Sequence, residues 1–237
     1  MSILFRLCVL LTLITGPVMV YADSQESTRI LDAGQHALAG GGRNQYRQSS
    51  QYVLKELDLR DGDVVVDIGA GDGWWARQMA RFVGAEGVIH AGEIEQKKVD
   101  DMKGKCADSP QVKSYLIPLD STALPDNSCD LAFLSKTYHH FNKGSHVDYL
   151  RHLHKVVKPT GRLCIIERHS AIPGGTRATE HGWSPGLLMQ QAEEAGWVGV
   201  RCELIRGTYH FMAIFVQKEL FPPEPERRRP EGRDNQN

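Results

Sequence analysis

The stretch Asp63-Val-Val-Val-Asp-Ile-Gly-Ala-Gly-Asp-Gly-Trp-Trp75 decides the fold of this 237-residue chain. Its first half is a short β-branched run, which predicts a strand buried on both faces of a parallel sheet. Three glycines follow at alternate positions: Gly69, Gly71 and Gly73. Apolar residues then recur at helical spacing: Trp75, Met79, Phe82 and Val83. The pattern predicts a strand, a glycine turn that lets backbone approach a ligand, and a helix whose N-terminus faces that ligand.

Two kinds of nucleotide site use such a turn, and Trp74 distinguishes them. A dinucleotide fingerprint begun at Gly69 needs a small residue at position 74, where the helix packs on the strand. Asp72 would also place a negative charge where a pyrophosphate has to lie. A ligand with a zwitterionic end tolerates that charge better. The sequence therefore disfavours a dinucleotide-dependent oxidoreductase, which is kept as an alternative.

The run Asp67-Ile-Gly-Ala-Gly-Asp-Gly73 resembles the first motif of class I S-adenosylmethionine-dependent methyltransferases. The resemblance extends over residues 44–217, in the family's order of elements. It implies an α/β, Rossmann-like fold with a mostly parallel seven-stranded sheet, helices on both faces and one antiparallel strand near the C-terminus. It also implies S-adenosylmethionine as the cofactor, bound in part by Asp67, Gly69, Gly71 and Gly73.

Further cofactor contacts are expected where later strands end. Glu93 closes the predicted strand 87–93, where an acid can accept hydrogen bonds from ribose hydroxyls; Glu95 is its competitor if the strand runs longer. Asp120 matches the family's acid that contacts the adenine amino group, with Ser121 beside it. The same segment can also be interpreted as a plain surface turn. Ser135, at the end of the fourth predicted strand, completes the predicted cofactor set.

The candidate catalytic residues follow the fourth strand and end the fifth. Tyr138, His139 and His140 lie just past a strand's carboxyl end, where residues of an open α/β sheet face the ligand crevice. An imidazole there can accept a proton, so His139, His140 and Glu167 are the candidate bases for an acceptor that must lose one. Alternatively, one histidine caps the next helix while its neighbours pack.

Other polar residues carry weaker signals. Segment 172–183, with Arg177 and His181, is expected to contact substrate or act as a lid, or else to be an exposed linker. His152 and His154 project in different directions from a helix, so no metal site is expected. Cys164 and Cys202 lie in apolar strand-like runs and are expected to be buried thiols.

The chain termini differ in composition from the predicted domain. Residues 1–22 have the pattern of a secretory signal peptide, with small residues before a cleavage site at Ala22. We expect a polar segment over 23–43, the cofactor-binding domain over 44–218 and a disordered tail over 219–237. This organisation predicts an exported protein. An uncleaved N-terminus that anchors the chain to a membrane is the alternative.

The partner predictions rest on charge and on the resemblance. The net charge of −1 shows no basic excess, so a nucleic-acid partner is not expected. The resemblance is to the branch of the family that methylates small molecules and quinone-like lipids, which implies a small or lipid-like methyl acceptor. A non-catalytic module that binds S-adenosylmethionine is the other alternative. The sequence does not indicate an oligomeric state.

Overall fold

A computed structural model describes residues 49–142, 144–171 and 182–222. Its helices are α1 Ser50–Glu56, α2 Trp74–Ala80, α3 Gln96–Lys105, α4 His146–Val156 and α5 Pro185–Glu194. Its strands are β1 Val64–Ile68, β2 Val88–Glu93, β3 Val112–Leu116, β4 Cys129–Ser135, β5 Val157–Arg168, β6 Trp197–Leu204 and β7 His210–Gln217. Short 3-10 helices span Tyr138–His140 and Lys218–Leu220.

The seven strands form one sheet in the order β3-β2-β1-β4-β5-β7-β6. Strands β1 to β5 pair in parallel, and β7 runs antiparallel to both of its neighbours, β5 and β6. The predicted fold class is therefore confirmed. Chain order reverses at β1, which lies between β2 and β4, and ligands of open α/β sheets bind at the carboxyl ends of strands around such a reversal.

The core has one layer on each face of the sheet. Val65 and Val66 point to opposite faces, as successive strand residues must. Val65 packs in the cluster that contains α1, α2 and α3 residues, and Val66 packs in the cluster formed with α4 and α5. Burial on both faces explains why β1 is a continuous apolar run apart from Asp67.

Two local expectations were wrong. Helix α2 ends at Ala80, and Phe82 is 40% exposed rather than part of the apolar face. Cys202 is exposed, whereas Cys164 is buried as expected, and both are free thiols. Residues 158–161 lie within β5 at a register irregularity, where Val157 pairs with Cys129 but Arg162 pairs with Leu131.

Several expectations fall outside the described residues. These are the signal peptide over 1–22, the polar segment over 23–43, the first residues of the domain expected over 44–218, Arg177 and His181 of the loop, and the tail beyond residue 222. Within the described ranges, every helix is too short or too polar to cross a bilayer.

Candidate cofactor and active site

A cavity of about 1340 Å³ opens at the carboxyl ends of β1, β2 and β4. Pockets for drug-sized ligands fill roughly 300–1,000 Å³, so this space can hold a nucleoside cofactor and a second small molecule. Six predicted cofactor residues line it: Asp67, Gly69, Gly71, Glu93, Asp120 and Ser135. His139 and His140 line it as well, whereas Gly73, Ser121 and Glu167 do not.

The three glycines of the turn have different surroundings. All have positive φ, which side chains rarely adopt. A Cβ at Gly69 would lie 2.5 Å from the Thr137 side chain, and one at Gly73 would lie 2.7 Å from Cys106 Sγ. A Cβ at Gly71 would meet nothing within 4 Å, on the side that faces the cavity. Gly71 therefore leaves room for a ligand, while Gly69 and Gly73 allow protein packing.

Glu93 is fixed across the glycine turn. It is 5% exposed, and its two carboxylate oxygens accept hydrogen bonds from the backbone N–H of Gly71 at 3.1 Å and of Ile94 at 2.9 Å. Each carboxylate oxygen can accept more than one hydrogen bond, so acceptor capacity remains for a ligand. Glu95 also lines the cavity, but its side chain is 57% exposed and pairs with Lys98. The geometry thus favours Glu93 over Glu95 as a preorganised acceptor.

Asp67 has an unusual environment for a carboxyl group. It is 1% exposed, and its Oδ2 atom has no hydrogen-bond partner among the described residues. Burial, and then the nearby charge of Glu93, raise the pKa of Asp67 to about 7. An unpaired buried carboxylate is costly unless a ligand supplies a donor. The orphaned oxygen therefore fits a bound group that carries N–H donors, such as an ammonium.

Replacing Asp67 with Asn is expected to stabilise the ligand-free protein. The pKa of Asp67 in the folded protein, about 7, lies above its unfolded value of 3.8. Ionisation of Asp67 therefore lowers the stability of the folded protein as pH rises from about 4 to 7, and the loss is complete above pH 7. The Asn variant lacks this loss. We expect it to exceed the parent by about 2 kcal/mol at pH 8 and by less at pH 5. Chemical unfolding of both proteins at the two pH values measures the difference, and a parent more stable at pH 8 would contradict the burial argument.

His139 and Glu167 form a hydrogen-bonded pair. Glu167 ends the buried part of β5 and is 0% exposed. Its Oε2 atom lies 2.7 Å from His139 Nδ1, and its Oε1 atom accepts the His139 backbone N–H at 3.3 Å. A carboxylate at Nδ1 favours the tautomer in which Nδ1 carries the proton and Nε2 is the acceptor. His139 is thus the member that faces the cavity, and Glu167 supports it from behind.

The neighbours of His139 have different roles. Tyr138 is fully buried and donates its hydroxyl to Gln191 at 3.0 Å, so it packs, as the alternative interpretation expected. His140 is exposed, and its ring centroid lies 4.0 Å from that of His139. His139 alone of this group combines a buried carboxylate partner with access to the cavity.

Residues 65–161 match a family model described as "Methyltransferase domain". A solved structure of an S-adenosylmethionine-dependent methyltransferase from Aquifex aeolicus superimposes with a TM-score of 0.65 at 23% identity, covering 82% of this chain and 98% of that one. Residues 65–161 therefore form a methyltransferase domain, and the sheet around them has the fold of S-adenosylmethionine-dependent methyltransferases.

Curated relatives of this chain include two proteins with quinone-related names. The ubiquinone/menaquinone biosynthesis C-methyltransferase UbiE of Pseudomonas paraeruginosa is 27% identical over 128 residues, which is 52% of this chain and 48% of that protein. The demethylmenaquinone methyltransferase of Staphylococcus aureus is 27% identical over 128 residues, or 52% and 50% of the two chains. The chain spans about half the length of these curated relatives.

The methyltransferase cavity also contains residues that sequence reasoning missed. Ile94 and Leu119 are 53% and 73% exposed, and each lies beside a predicted acid, Glu93 or Asp120. Exposed apolar side chains at a cavity suit a flat ligand such as a nucleobase. A large apolar residue next to each strand-end acid was the signal available in the sequence. Phe141 and Tyr149, whose ring centroids lie 4.5 Å apart, also line the cavity, and Tyr149 lies beside His152 as well.

Metal ligation has no support in the part of the chain that the structure describes. Within those residues, no group of three or more His, Cys, Asp or Glu side chains is arranged to hold an ion. His152 and His154 make separate contacts, with Thr122 and with Glu219.

Proposed function

We propose that this methyltransferase transfers the methyl group of S-adenosylmethionine to a small-molecule or lipid-like acceptor. One observation carries the proposal: a single cavity joins the orphaned carboxyl of Asp67 and the fixed carboxylate of Glu93 to His139, which Glu167 supports. Cofactor-binding and proton-accepting groups thus share one space.

The cavity residues fit the chemical parts of the cofactor. Asp67 Oδ2 would accept from the methionine ammonium, and Glu93 would accept from the ribose hydroxyls. Asp120 would accept from the adenine amino group between the exposed side chains of Ile94 and Leu119. Ser135 lines the same space. Gly73 and Ser121 do not line the cavity, so they would affect cofactor binding only by holding the backbone of neighbouring residues in place.

The protein's main catalytic task is alignment. S-adenosylmethionine supplies a sulfonium methyl group that is already electrophilic, so positioning and exclusion of water provide most of the rate enhancement. His139 Nε2 would accept the acceptor's proton as the bond from acceptor to methyl carbon forms. The electron pair of the broken carbon–sulfur bond stays on sulfur. Glu167 would stabilise the imidazolium that results, because its buried carboxylate lies 2.7 Å from Nδ1.

The proposed acceptor is planar and largely apolar. Phe141, two residues after His139, provides an aromatic wall of the cavity, and the curated relatives are named for ubiquinone, menaquinone and demethylmenaquinone chemistry. Aromatic side chains bury large areas against flat ligands and prefer offset-stacked or edge-to-face geometry. A quinol-like or phenolic compound would suit both features.

We also propose that the protein is exported, with membrane contact through the N-terminus if cleavage fails. Support comes from the sequence of residues 1–22. Mass analysis of the mature protein should find Asp23 as its first residue. Finding Met1 or Ser2 on a protein in the soluble cytosolic fraction would reject export.

Transfer of isotope-labelled methyl from the cofactor tests the function. The purified protein is incubated with labelled S-adenosylmethionine and with lipid and small-molecule extracts. We expect label in a low-molecular-mass or lipid fraction, and none with a His139→Phe variant that still binds cofactor. Cofactor binding without transfer into any fraction would favour the non-catalytic module, and turnover that requires NAD would favour the oxidoreductase.

A further inference from the structure

The loop between β3 and β4 is bonded to neighbouring elements at both of its ends and, in its middle, at the buried residue Thr122. Thr122 is 0% exposed, and both of its backbone polar groups are bonded outside the loop. Its N–H donates to His152 Nε2 at 2.8 Å, and its carbonyl oxygen accepts the Tyr115 hydroxyl at 2.8 Å. Two residues before Thr122 lies Asp120, and Leu119 precedes it, so the segment held at Thr122 forms one wall of the cavity.

The bond to His152 depends on the state of its ring. A backbone N–H can only donate, so Nε2 has to be an unprotonated acceptor for this contact to exist. Protonation would set N–H against N–H at 2.8 Å. The Thr122 hydroxyl, 3.0 Å from the same nitrogen, can accept as well as donate and does not restore the backbone contact. His152 thus holds the loop only while it is neutral.

We propose that His152 is a positioning residue for cofactor binding, which in its neutral form clamps the β3–β4 loop and on protonation releases it. The inference rests on the proposed function, because the loop carries the predicted adenine contacts. His152 itself does not line the cavity, so its effect passes through Thr122 to Asp120 and Leu119.

The groups that face His152 come from two elements. Asp120 and Asp126 of the loop and Lys155 of α4 are the charged ones, Tyr149 of α4 is an uncharged neighbour, and Tyr115 of β3 bonds the same Thr122 from its other side. Burial lowers the pKa of His152 from its ordinary value of 6.5, and this outweighs the opposite effect of Asp126. The clamp is therefore complete above pH 6.5 and is lost as pH falls through the lowered pKa.

Calorimetric titration of the full chain with S-adenosylmethionine at pH 8 and pH 5.5 tests the clamp. We expect His152→Leu to weaken binding about tenfold at pH 8, the cost of one unsatisfied buried N–H. His152→Gln keeps an acceptor oxygen and cannot titrate, so it should bind within about twofold of the parent at pH 8 and lose less affinity than the parent at pH 5.5. His154→Gln is the control, because His154 lies on the same helix but pairs with Glu219.

Hydrogen exchange of the peptide covering residues 117–128 provides a readout that needs no cofactor. Exchange in the His152→Leu variant should be at least about tenfold faster than in the parent, with the rest of the sheet unchanged. Unchanged exchange in that variant would overturn the clamp. A Gln variant with the parent's full loss of affinity at pH 5.5 would also overturn it. A parent that fails to bind S-adenosylmethionine would reject the proposed function, and the exchange experiment would still decide the role of His152.

Discussion

Replacing Glu93 with Gln is expected to weaken S-adenosylmethionine binding about 100-fold, because a carboxylate that accepts from ribose hydroxyls contributes charge-assisted hydrogen bonds of about 1.5–3 kcal/mol. The substitution also disturbs the turn. Both Glu93 oxygens accept backbone N–H groups, from Gly71 and Ile94, and the Gln amide nitrogen would oppose one of them with a second donor. Calorimetric titration measures the loss.

Glu95→Gln is the matched control for Glu93. Its side chain lies two positions along, is 57% exposed and pairs with Lys98. Exposed ion pairs contribute little, so the control should change affinity less than about threefold. A larger loss in the Glu95 variant than in the Glu93 variant would transfer the ribose contact to Glu95.

Replacing His139 with Gln is expected to lower kcat about 1,000-fold while leaving the cofactor affinity within about threefold, since general base catalysis contributes roughly 10²–10⁴. Glu167→Gln should lower kcat about 10- to 100-fold, because the imidazole stays in place but its protonated form loses a buried carboxylate 2.7 Å away. Single-turnover methyl transfer measures the rates of both variants, with the acceptor fraction that becomes labelled in the isotope experiment as substrate.

His140→Gln separates the two histidines. His140 is exposed and stacks against His139, so its loss should change kcat by less than about fivefold. A thousandfold loss for His140 with a small loss for His139 would reverse the assignment of the base. Equal small losses for both would mean that the acceptor needs no deprotonation by a side chain.

The fold could be predicted because its signals are local. The apolar run of β1, the alternate glycines and the helical spacing after them each specify backbone geometry within a few residues. The strand over residues 158–161 could not be predicted, for the opposite reason. Pro159 and Gly161 mark a turn in the sequence, but pairing of Val157 with Cys129 extends the strand past them. The prediction for Phe82 was wrong because the helix ends at Ala80, although the apolar residues continue at helical spacing beyond it.

The site was predictable where strand ends alone decide position. Parallel strands bring their carboxyl ends to one edge, and Asp67, Glu93 and Ser135, which come from three different strands, line the same cavity there. The pairing of His139 with Glu167 depends on contacts between distant segments, and the sequence could offer them only as separate candidates. The tie between Thr122 and His152 is equally non-local. Gly73 shows the reverse case, in which a motif glycine packs against Cys106 and not against the cavity.

Calorimetric titration of the full-length protein with S-adenosylmethionine, beside NAD under the same conditions, tests the central claim most directly. The account predicts one binding site for S-adenosylmethionine with a dissociation constant on the order of micromolar, and no detectable binding of NAD. Near pH 7 the measured heat of binding should depend on the ionisation enthalpy of the buffer, because Asp67 releases its proton when the cofactor binds. Binding of NAD without binding of S-adenosylmethionine, or no binding of either, would contradict it.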